Sequence, residues 1–155
     1  MEKLSGSIYD LKSLYTANGP NNLIAAMLFP QQHQGYFAVN IATEATTNPA
    51  AQWTANAEAQ FNGDFTIRTK ARPFENIVLT ASDGDSEGSA ILGGAFIAYP
   101  TQRFILIQWS AGKHSFVTPN GFAVRPAAVG VKGSPLILQK FHDRPDPGQV
   151  WISRT

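Results

Sequence analysis

Histidine and acidic residues most readily hold a metal or transfer a proton, and here they show no clustered pattern. The three histidines, His33, His114 and His142, lie far apart, with no i,i+4 pair among them. His142 has one acidic neighbour, Asp143. A catalytic or metal site needs several such groups converging on one point. We therefore predict that the three histidines are solvent-exposed loop residues, not ligands or general bases.

One acidic segment, Asp83-Gly84-Asp85-Ser86-Glu87-Gly88, is similar to the first half of a calcium-binding loop. Such a loop requires a bidentate glutamate at its twelfth position, which here is Gly94, so the segment predicts a polar turn between strands. The chain has no cysteine, no nucleophile elbow, no phosphate-binding glycine loop and no His-Glu-x-x-His motif. We expect a protein that is not an enzyme and has no cofactor and no metal.

Length and charge narrow the class of protein further. At 155 residues the chain is predicted to form a single domain, 1–155, whose core needs no covalent cross-links. The formal net charge of +1 gives no overall attraction for nucleic acid or acidic membranes. Residues 1–6 lack the apolar stretch of a signal peptide. We expect a monomer in the cytoplasm, or released without a signal peptide, with neither nucleic acid nor membrane as partner.

Aromatic residues recur along the chain at intervals of about fifty residues. One set closes the segments Ala51-Gln52-Trp53, Gln102-Arg103-Phe104 and Gln149-Val150-Trp151. A second set opens each unit with Tyr9, Phe65 and Phe116. A period of this length indicates one structural unit used three times, which predicts an all-β domain of the β-trefoil type. The repeats cover about 6–57, 58–109 and 110–155, and the six rings are predicted to form two layers of the core.

Short apolar runs interrupted by Gly, Pro or Asn are typical of strands joined by turns. They predict twelve strands, four in each unit, at 7–14, 23–28, 36–42, 52–57, 64–70, 76–80, 95–99, 103–109, 115–118, 122–125, 136–141 and 149–153. Asn62-Gly63 and Asn120-Gly121 lie between such runs and predict hairpin turns, because both residues accept a positive φ. Binding residues are then expected in loops.

Several segments resemble the mushroom β-trefoil protease inhibitors. They are residues 4–11, 63–68, 73–75, 136–141, 143–145 and 150–154, spread over most of the chain. The resemblance is greatest to the mycocypins (the clitocypin and macrocypin group) and secondarily to the cospin-like serine-protease inhibitors. It implies a β-trefoil that inhibits papain-like cysteine proteases, or serine proteases, by inserting loops into the active-site cleft.

In the mycocypins two loops of the first unit block the protease cleft, and their counterparts here are residues 16–22 and 43–49. The resemblance assigns protease contact to Asn18, Gly19, Pro20, Asn21, Thr46, Thr47, Asn48 and Pro49. A Gly-Pro turn is narrow and stiff, so it loses little conformational entropy on binding. The alternative that both segments are ordinary connecting loops stays open.

Two further loops are alternative reactive sites in these families. The loop at 71–75 presents the basic Arg72, but Pro73 has no N–H and a fixed φ, which makes it a poor mimic of a scissile bond. The loop at 27–35 contains no Lys or Arg. Its apolar residues Met27, Leu28 and Phe29 either suit a chymotrypsin-like pocket or fold back under the barrel.

A carbohydrate-binding β-trefoil lectin of the ricin-B type is the alternative from another class. Such lectins share the threefold closing Gln-x-Trp and bind sugar on an aromatic platform with Asp and Asn or Gln beside it. In this chain the motif is intact only at Gln149-Val150-Trp151, and acidic residues do not recur in register. A structural or storage protein is the third class. Retention on a papain column would indicate a protease inhibitor. Elution from a sugar resin by free sugar would indicate a lectin.

Overall fold

A computed structural model describes residues 1–16, 25–33, 35–42, 48–74 and 76–154. Within these residues there are thirteen β-strands, three single-turn 3-10 helices and no α-helix, which confirms the predicted all-β class. The strands are β1 Glu2–Lys3, β2 Ile8–Thr16, β3 Ala25–His33, β4 Tyr36–Ala42, β5 Gln52–Ala57, β6 Phe65–Thr69, β7 Ile77–Ala81, β8 Ala90–Ala95, β9 Ile105–Ser110, β10 Lys113–Val117, β11 Phe122–Pro126, β12 Leu136–Lys140 and β13 Trp151–Arg154. The 3-10 turns are Pro49–Ala51, Ala59–Phe61 and Pro100–Gln102. None of the described helical turns is long and apolar enough to cross a membrane.

The first and last strands of the repeats pair in a closed ring. Antiparallel pairings join β2 to β5, β5 to β6, β9 to β10, β10 to β13 and β13 back to β2. Phe65 and Phe104 complete the ring between β6 and β9, each backbone N–H donating to the other residue's carbonyl at 2.8 Å. Closure leaves no unpaired edge inside the ring.

The remaining long strands form the hairpins β3–β4, β7–β8 and β11–β12. These hairpins also pair with one another, since β8 lies between β4 and β12. They therefore gather at one end of the ring, with one hairpin from each predicted repeat. This is the threefold arrangement expected from the aromatic period.

Five of the six repeated rings lie in the core, as the sequence predicts. Trp53, Phe65, Phe104, Phe116 and Trp151 are each at most 1% exposed, which confirms them as core residues. The sixth, Tyr9, is only partly buried and packs against Phe65 with ring centroids 5.8 Å apart.

Two strands differ from the twelve predicted. The short β1 was not predicted, and it pairs along β9 with Glu2 opposite Gln108. The strand predicted at 95–99 is wrong, because β8 ends at Ala95. β8 contains Gly93, where a Cβ would come within 2.8 Å of the Ile77 side chain. Close packing of the hairpin explains why this strand position carries a glycine.

The loop predicted at 27–35 is also wrong. Met27, Leu28 and Phe29 belong to β3, which continues to His33 and pairs with β4. The register shifts between Phe29 and Gln32, so the strand accommodates Pro30, which lacks an N–H for a regular ladder. Leu28 is buried, as in the alternative in which these residues fold under the barrel.

Both Asn-Gly turns occur where they were predicted, with different backbones. Asn62 and Gly63 both have positive φ, 54° and 90°. Of the other pair, both described, only Gly121 has a positive φ, 89°. Asn120 instead donates its backbone N–H to the Asp85 carboxylate at 2.9 Å and thereby ties the 83–88 turn to this hairpin.

Candidate functional site

Most of the residues assigned to cysteine-protease contact lie outside the described residues. These are Asn18, Gly19, Pro20, Asn21, Thr46 and Thr47. Asn48 and Pro49 are described and exposed. The Asn48 side-chain oxygen accepts from the Ala50 N–H at 2.9 Å and caps the 3-10 turn that precedes β5.

Asn48 and Pro49 meet the other predicted loop at a groove of about 390 Å³, which Arg72 also lines. A second groove of about 550 Å³ shares Pro49, Lys70 and Arg72 with it. Arg72 and Pro73 are exposed. The sequence assigned the two loops to different units, but the structure brings them together because β5 pairs with β6. We call the two grooves together the basic groove.

A separate surface centres on Trp109, near the end of β9, which the sequence analysis did not select. Trp109 is half-buried, and its Nε1 donates to the Ser115 hydroxyl at 2.8 Å. The fully buried Ser115 in turn donates to the Gln149 carbonyl at 2.6 Å. Phe141 packs beside the indole with ring centroids 6.0 Å apart. These contacts fix the indole in one orientation.

A groove of about 530 Å³ lies against this indole. Its charged lining residues are Lys113, at the start of β10, and Asp143, in the loop between β12 and β13. Both are exposed, and neither forms an ion pair with another described residue. Pro145 and Pro147 line the groove as well. A fixed apolar ring therefore borders the same groove as a carboxylate and an ammonium group; we call this the Trp109 groove.

The loop that carries Asp143 is held from inside by Gln149. This glutamine is 1% exposed; its Nε2 donates to the Lys140 carbonyl at 2.7 Å and its Oε1 accepts from the His142 N–H at 3.1 Å. His142 also contacts the Asp146 carboxylate, Nδ1 to Oδ2, at 2.8 Å. The loop is thus ordered by polar contacts within the described residues.

Asp146 adds a second anchor to this loop. Its carboxylate accepts from the Gly148 N–H at 2.9 Å. Burial alone would raise the pKa of Asp146, but the Gly148 and His142 hydrogen bonds outweigh burial and lower that pKa below its usual value. The carboxylate therefore stays charged at neutral pH.

The second unit repeats the glutamine contact. Gln102 Nε2 donates to the Ala95 carbonyl at 2.8 Å, and its Oε1 accepts from the Ile97 N–H at 3.0 Å. This holds a loop whose Ile97 and Tyr99 are exposed beside a pocket of about 250 Å³. Gln102 and Gln149 each lie two residues before the closing ring, and the residue at this position in the first unit is Ala51. The recurrence of Gln102 and Gln149 with the closing ring was the sequence signal for these anchors.

His114 contradicts the prediction of an exposed loop histidine. It lies in β10 and is 7% exposed. Its Nδ1 is buried and has no hydrogen-bond partner among the described residues. Burial lowers its pKa from the usual 6.5, because a charged imidazolium loses hydration there. The strand begins at Lys113, two residues before the predicted start at 115, and therefore includes His114.

This burial makes stability depend on pH. Because the folded state disfavours the protonated form, the stabilisation is complete above pH 6.5 and is lost as pH falls towards the lower folded pKa. Urea unfolding at pH 7.5 and 5.5 should show the loss in the parent and a smaller loss in His114→Gln. His142→Gln, which leaves His114 in place, is the control. An equal loss in parent and His114→Gln would contradict the assignment.

No group of three or more side chains suited to a metal occurs among the described residues. The predicted polar turn at 83–88, which lies between β7 and β8, is among the residues described. Asp85 uses its carboxylate and its carbonyl to bind Asn120.

Neither a protein-family model nor a curated protein matches this sequence. Solved structures of similar fold include the designed threefold-symmetric protein ThreeFoil, which is 13% identical, with a TM-score of 0.72 over 90% of this chain and 95% of that one. The Rhizoctonia solani agglutinin is 9% identical, with a TM-score of 0.70 over 99% of both chains. The Polyporus squamosus lectin is 17% identical, with a TM-score of 0.66 over 96% of this chain and 48% of that one.

These similarities show that the chain has a β-trefoil fold. At such low identity they show the fold alone. The present chain spans about half the length of the Polyporus squamosus lectin. The resemblance to the mycocypins gains no support from these structures beyond the shared fold.

Proposed function

We propose that this protein binds carbohydrate in the Trp109 groove. The supporting observation is an indole held by Ser115 and Phe141 beside a groove that Asp143 and Lys113 also line. A pyranose ring has an apolar C–H face that packs on an aromatic surface. Its hydroxyls both donate and accept, so they suit a carboxylate and an ammonium group together.

The size and order of the groove support the same ligand class. Its volume of about 530 Å³ is within the roughly 300–1,000 Å³ range of small-molecule sites. Gln149 and Asp146 order the loop in advance, so little conformational entropy is lost when a sugar binds.

Carbohydrate binding also occurs among proteins of this fold. The Polyporus squamosus lectin is bound to the epitope Neu5Aca2-6Galb1-4GlcNAc, and an earthworm R-type lectin half is in complex with GalNAc. The similarity supports the class of function and does not identify the sugar.

Intrinsic fluorescence provides a direct test. Trp53 and Trp151 are each 1% exposed, so a ligand-dependent change in emission or quenching reports on Trp109. We expect such a change on titration with GalNAc, galactose, glucose or their disaccharides. Trp109→Ala should weaken binding, measured by calorimetry, at least tenfold, or about 1.4 kcal/mol.

Tyr99→Ala is the matched control. It removes an exposed ring from the pocket of the second unit and should leave the affinity unchanged. Full binding by Trp109→Ala, or loss only in Tyr99→Ala, would refute the assignment to the Trp109 groove.

Protease inhibition is the second candidate, favoured by the meeting of Asn48, Pro49 and Arg72 at the basic groove. We expect Gly19→Arg to weaken inhibition of a papain-like protease at least tenfold, because a large side chain obstructs close passage of the turn. Titration of papain-like, legumain-type, trypsin-like and chymotrypsin-like proteases measures this. If the protein inhibits none of these proteases, protease inhibition is excluded, and the proposal of carbohydrate binding is unaffected.

A further inference from the structure

The pocket of the second unit, beside Gln102, is lined by uncharged residues. Its described lining includes Tyr36, Ile97 and Tyr99 and contains no acidic, basic or histidine side chain. Ile97 and Tyr99 are 56% and 59% exposed and lie in the loop between β8 and β9. Two large apolar side chains exposed at one pocket point to a contact surface, whereas single exposed apolar residues are ordinary. We call this pocket the tyrosine pocket.

The loop between β8 and β9 is fixed by several contacts. Phe96 packs edge-on against Phe61 with ring centroids 6.1 Å apart, and the Arg68 guanidinium lies over the Phe96 ring, 4.7 Å from its centroid. Ala98 has a positive φ of 61°, which is strained for a residue with a Cβ. Such strain persists only where the surrounding structure fixes the backbone. These ring contacts and the Gln102 hydrogen bonds therefore order the loop before any ligand binds.

The Tyr36 ring lies directly on the backbone of β8. A Cβ at Gly94 would come within 3.2 Å of this ring and within 2.8 Å of the Thr80 hydroxyl, so a larger residue would displace the ring. The pocket volume of about 250 Å³ is below the roughly 300–1,000 Å³ of sites that enclose a small molecule. The tyrosine pocket therefore suits one or two side chains of a longer ligand.

The free polar groups of this pocket include two phenols. The Gln102 side-chain amide is engaged by its own loop through both the nitrogen and the oxygen. The Thr80 hydroxyl accepts from Gln102 Nε2 at 3.3 Å and donates to the Val78 carbonyl at 3.1 Å. The hydroxyls of Tyr36 and Tyr99 have no hydrogen-bond partner among the described residues. They suit a ligand that presents acceptors beside apolar groups.

We propose that the tyrosine pocket binds a proline-rich segment of another protein in the polyproline II conformation. Proline rings are apolar and pack on tyrosine rings, and proline has no N–H that would need an acceptor. The carbonyls of such a segment form no internal hydrogen bonds, so they can accept from the Tyr36 and Tyr99 hydroxyls. Aromatic-lined grooves bind segments of this kind in other proteins, and the stiff segment loses little conformational entropy.

A neutral sugar fits this pocket less well than a proline-rich segment. Sugar hydroxyls donate as well as accept, and the described lining has no carboxylate to accept from them. The Trp109 groove has Asp143 for this purpose. The tyrosine pocket is a separate site, and its proposed ligand does not depend on the Trp109 groove binding sugar.

The test is calorimetric titration of the full chain with decaproline, acetylated and amidated so that the peptide has no charge. A capped Gly-Ser peptide of the same length is the control ligand, because it is flexible and lacks apolar rings. We expect binding of decaproline and no binding of the Gly-Ser peptide. The affinity should be the same at low and high salt, since the described lining has no charged side chain.

Variants of the two tyrosines test the contacts separately. Tyr99→Ala removes an exposed ring and should weaken decaproline binding by about tenfold or more. Tyr36→Phe and Tyr99→Phe keep the rings and remove the donors, so each should weaken binding severalfold. Tyr9→Phe is the matched control, because it removes a hydroxyl outside the pocket that donates to the Ser5 carbonyl at 3.5 Å. It should leave decaproline binding unchanged.

Four results would overturn the proposal. They are no binding of decaproline, equal binding of the Gly-Ser peptide, a loss in Tyr9→Phe as large as that in Tyr99→Phe, and displacement of decaproline by galactose or GalNAc. The last result would assign the pocket to sugar. Trp109→Ala should leave decaproline binding intact, and Tyr99→Ala should leave sugar binding in the Trp109 groove intact. Failure here and failure of sugar binding are therefore separate outcomes.

Discussion

Replacement of Trp151 by alanine is expected to lower the free energy of unfolding by about 3–5 kcal/mol, as for other buried tryptophans. Trp151 is 1% exposed, stacks on Phe116 with centroids 6.5 Å apart and donates its Nε1 to the Val124 carbonyl at 3.1 Å. It also begins β13, which pairs with both β10 and β2 and so closes the ring. Since the free energy of unfolding of a domain is only about 5–15 kcal/mol, the loss should be a large fraction of the total stability.

Urea unfolding monitored by circular dichroism measures this effect. Trp53→Ala, at the equivalent position of the first unit, should lose a similar amount. Trp109→Ala should lose less, because Trp109 is only half-buried. Native stability in both Trp53→Ala and Trp151→Ala would refute the core assignment of the closing rings.

Replacement of Gln149 by alanine is expected to lower the free energy of unfolding by about 2–4 kcal/mol, because it leaves two partly buried backbone groups without their side-chain partners. These are the Lys140 carbonyl and the His142 N–H. The change should also weaken sugar binding, since Gln149 orders the loop that carries Asp143. Urea unfolding and calorimetry with the bound sugar measure the two effects.

Gln102→Ala provides the control, because Gln102 makes the same pair of contacts in the second unit. It should lose comparable stability and leave sugar affinity in the Trp109 groove unchanged. Equal effects of both variants on affinity would mean that Gln149 acts through global stability and not through its loop.

Local signals explain why so much of the fold was predictable. Gly, Pro and Asn often mark turns, and short apolar runs between them mark strands, so most strand positions along the chain could be predicted without tertiary information. The recurrence of Trp53, Phe104 and Trp151 indicated three units and the core. Their burial follows from an aromatic residue on the inward face of each closing strand.

The errors arose where packing overrode local preference. Gly93 and Gly94 are turn residues by type, but β8 needs them because a Cβ would meet Ile77 or the Thr80 hydroxyl at 2.8 Å. The resemblance to the cospin-like inhibitors implied a loop at 27–35, yet a register shift keeps Pro30 within β3. His114 suggested an exposed residue, but the strand buries it. In each case a partner distant in sequence decided the outcome.

The sequence by itself determined the all-β class, the threefold repeat and the aromatic core, because these depend on residue type and short spacing. The tertiary structure decided the candidate sites. Trp109, Lys113 and Asp143 come from two strands and a loop and line one groove only when the ring has closed. Lys70 and Arg72 join Pro49 because β5 and β6 pair. A surface that depends on long-range pairing has no local signal in a single sequence.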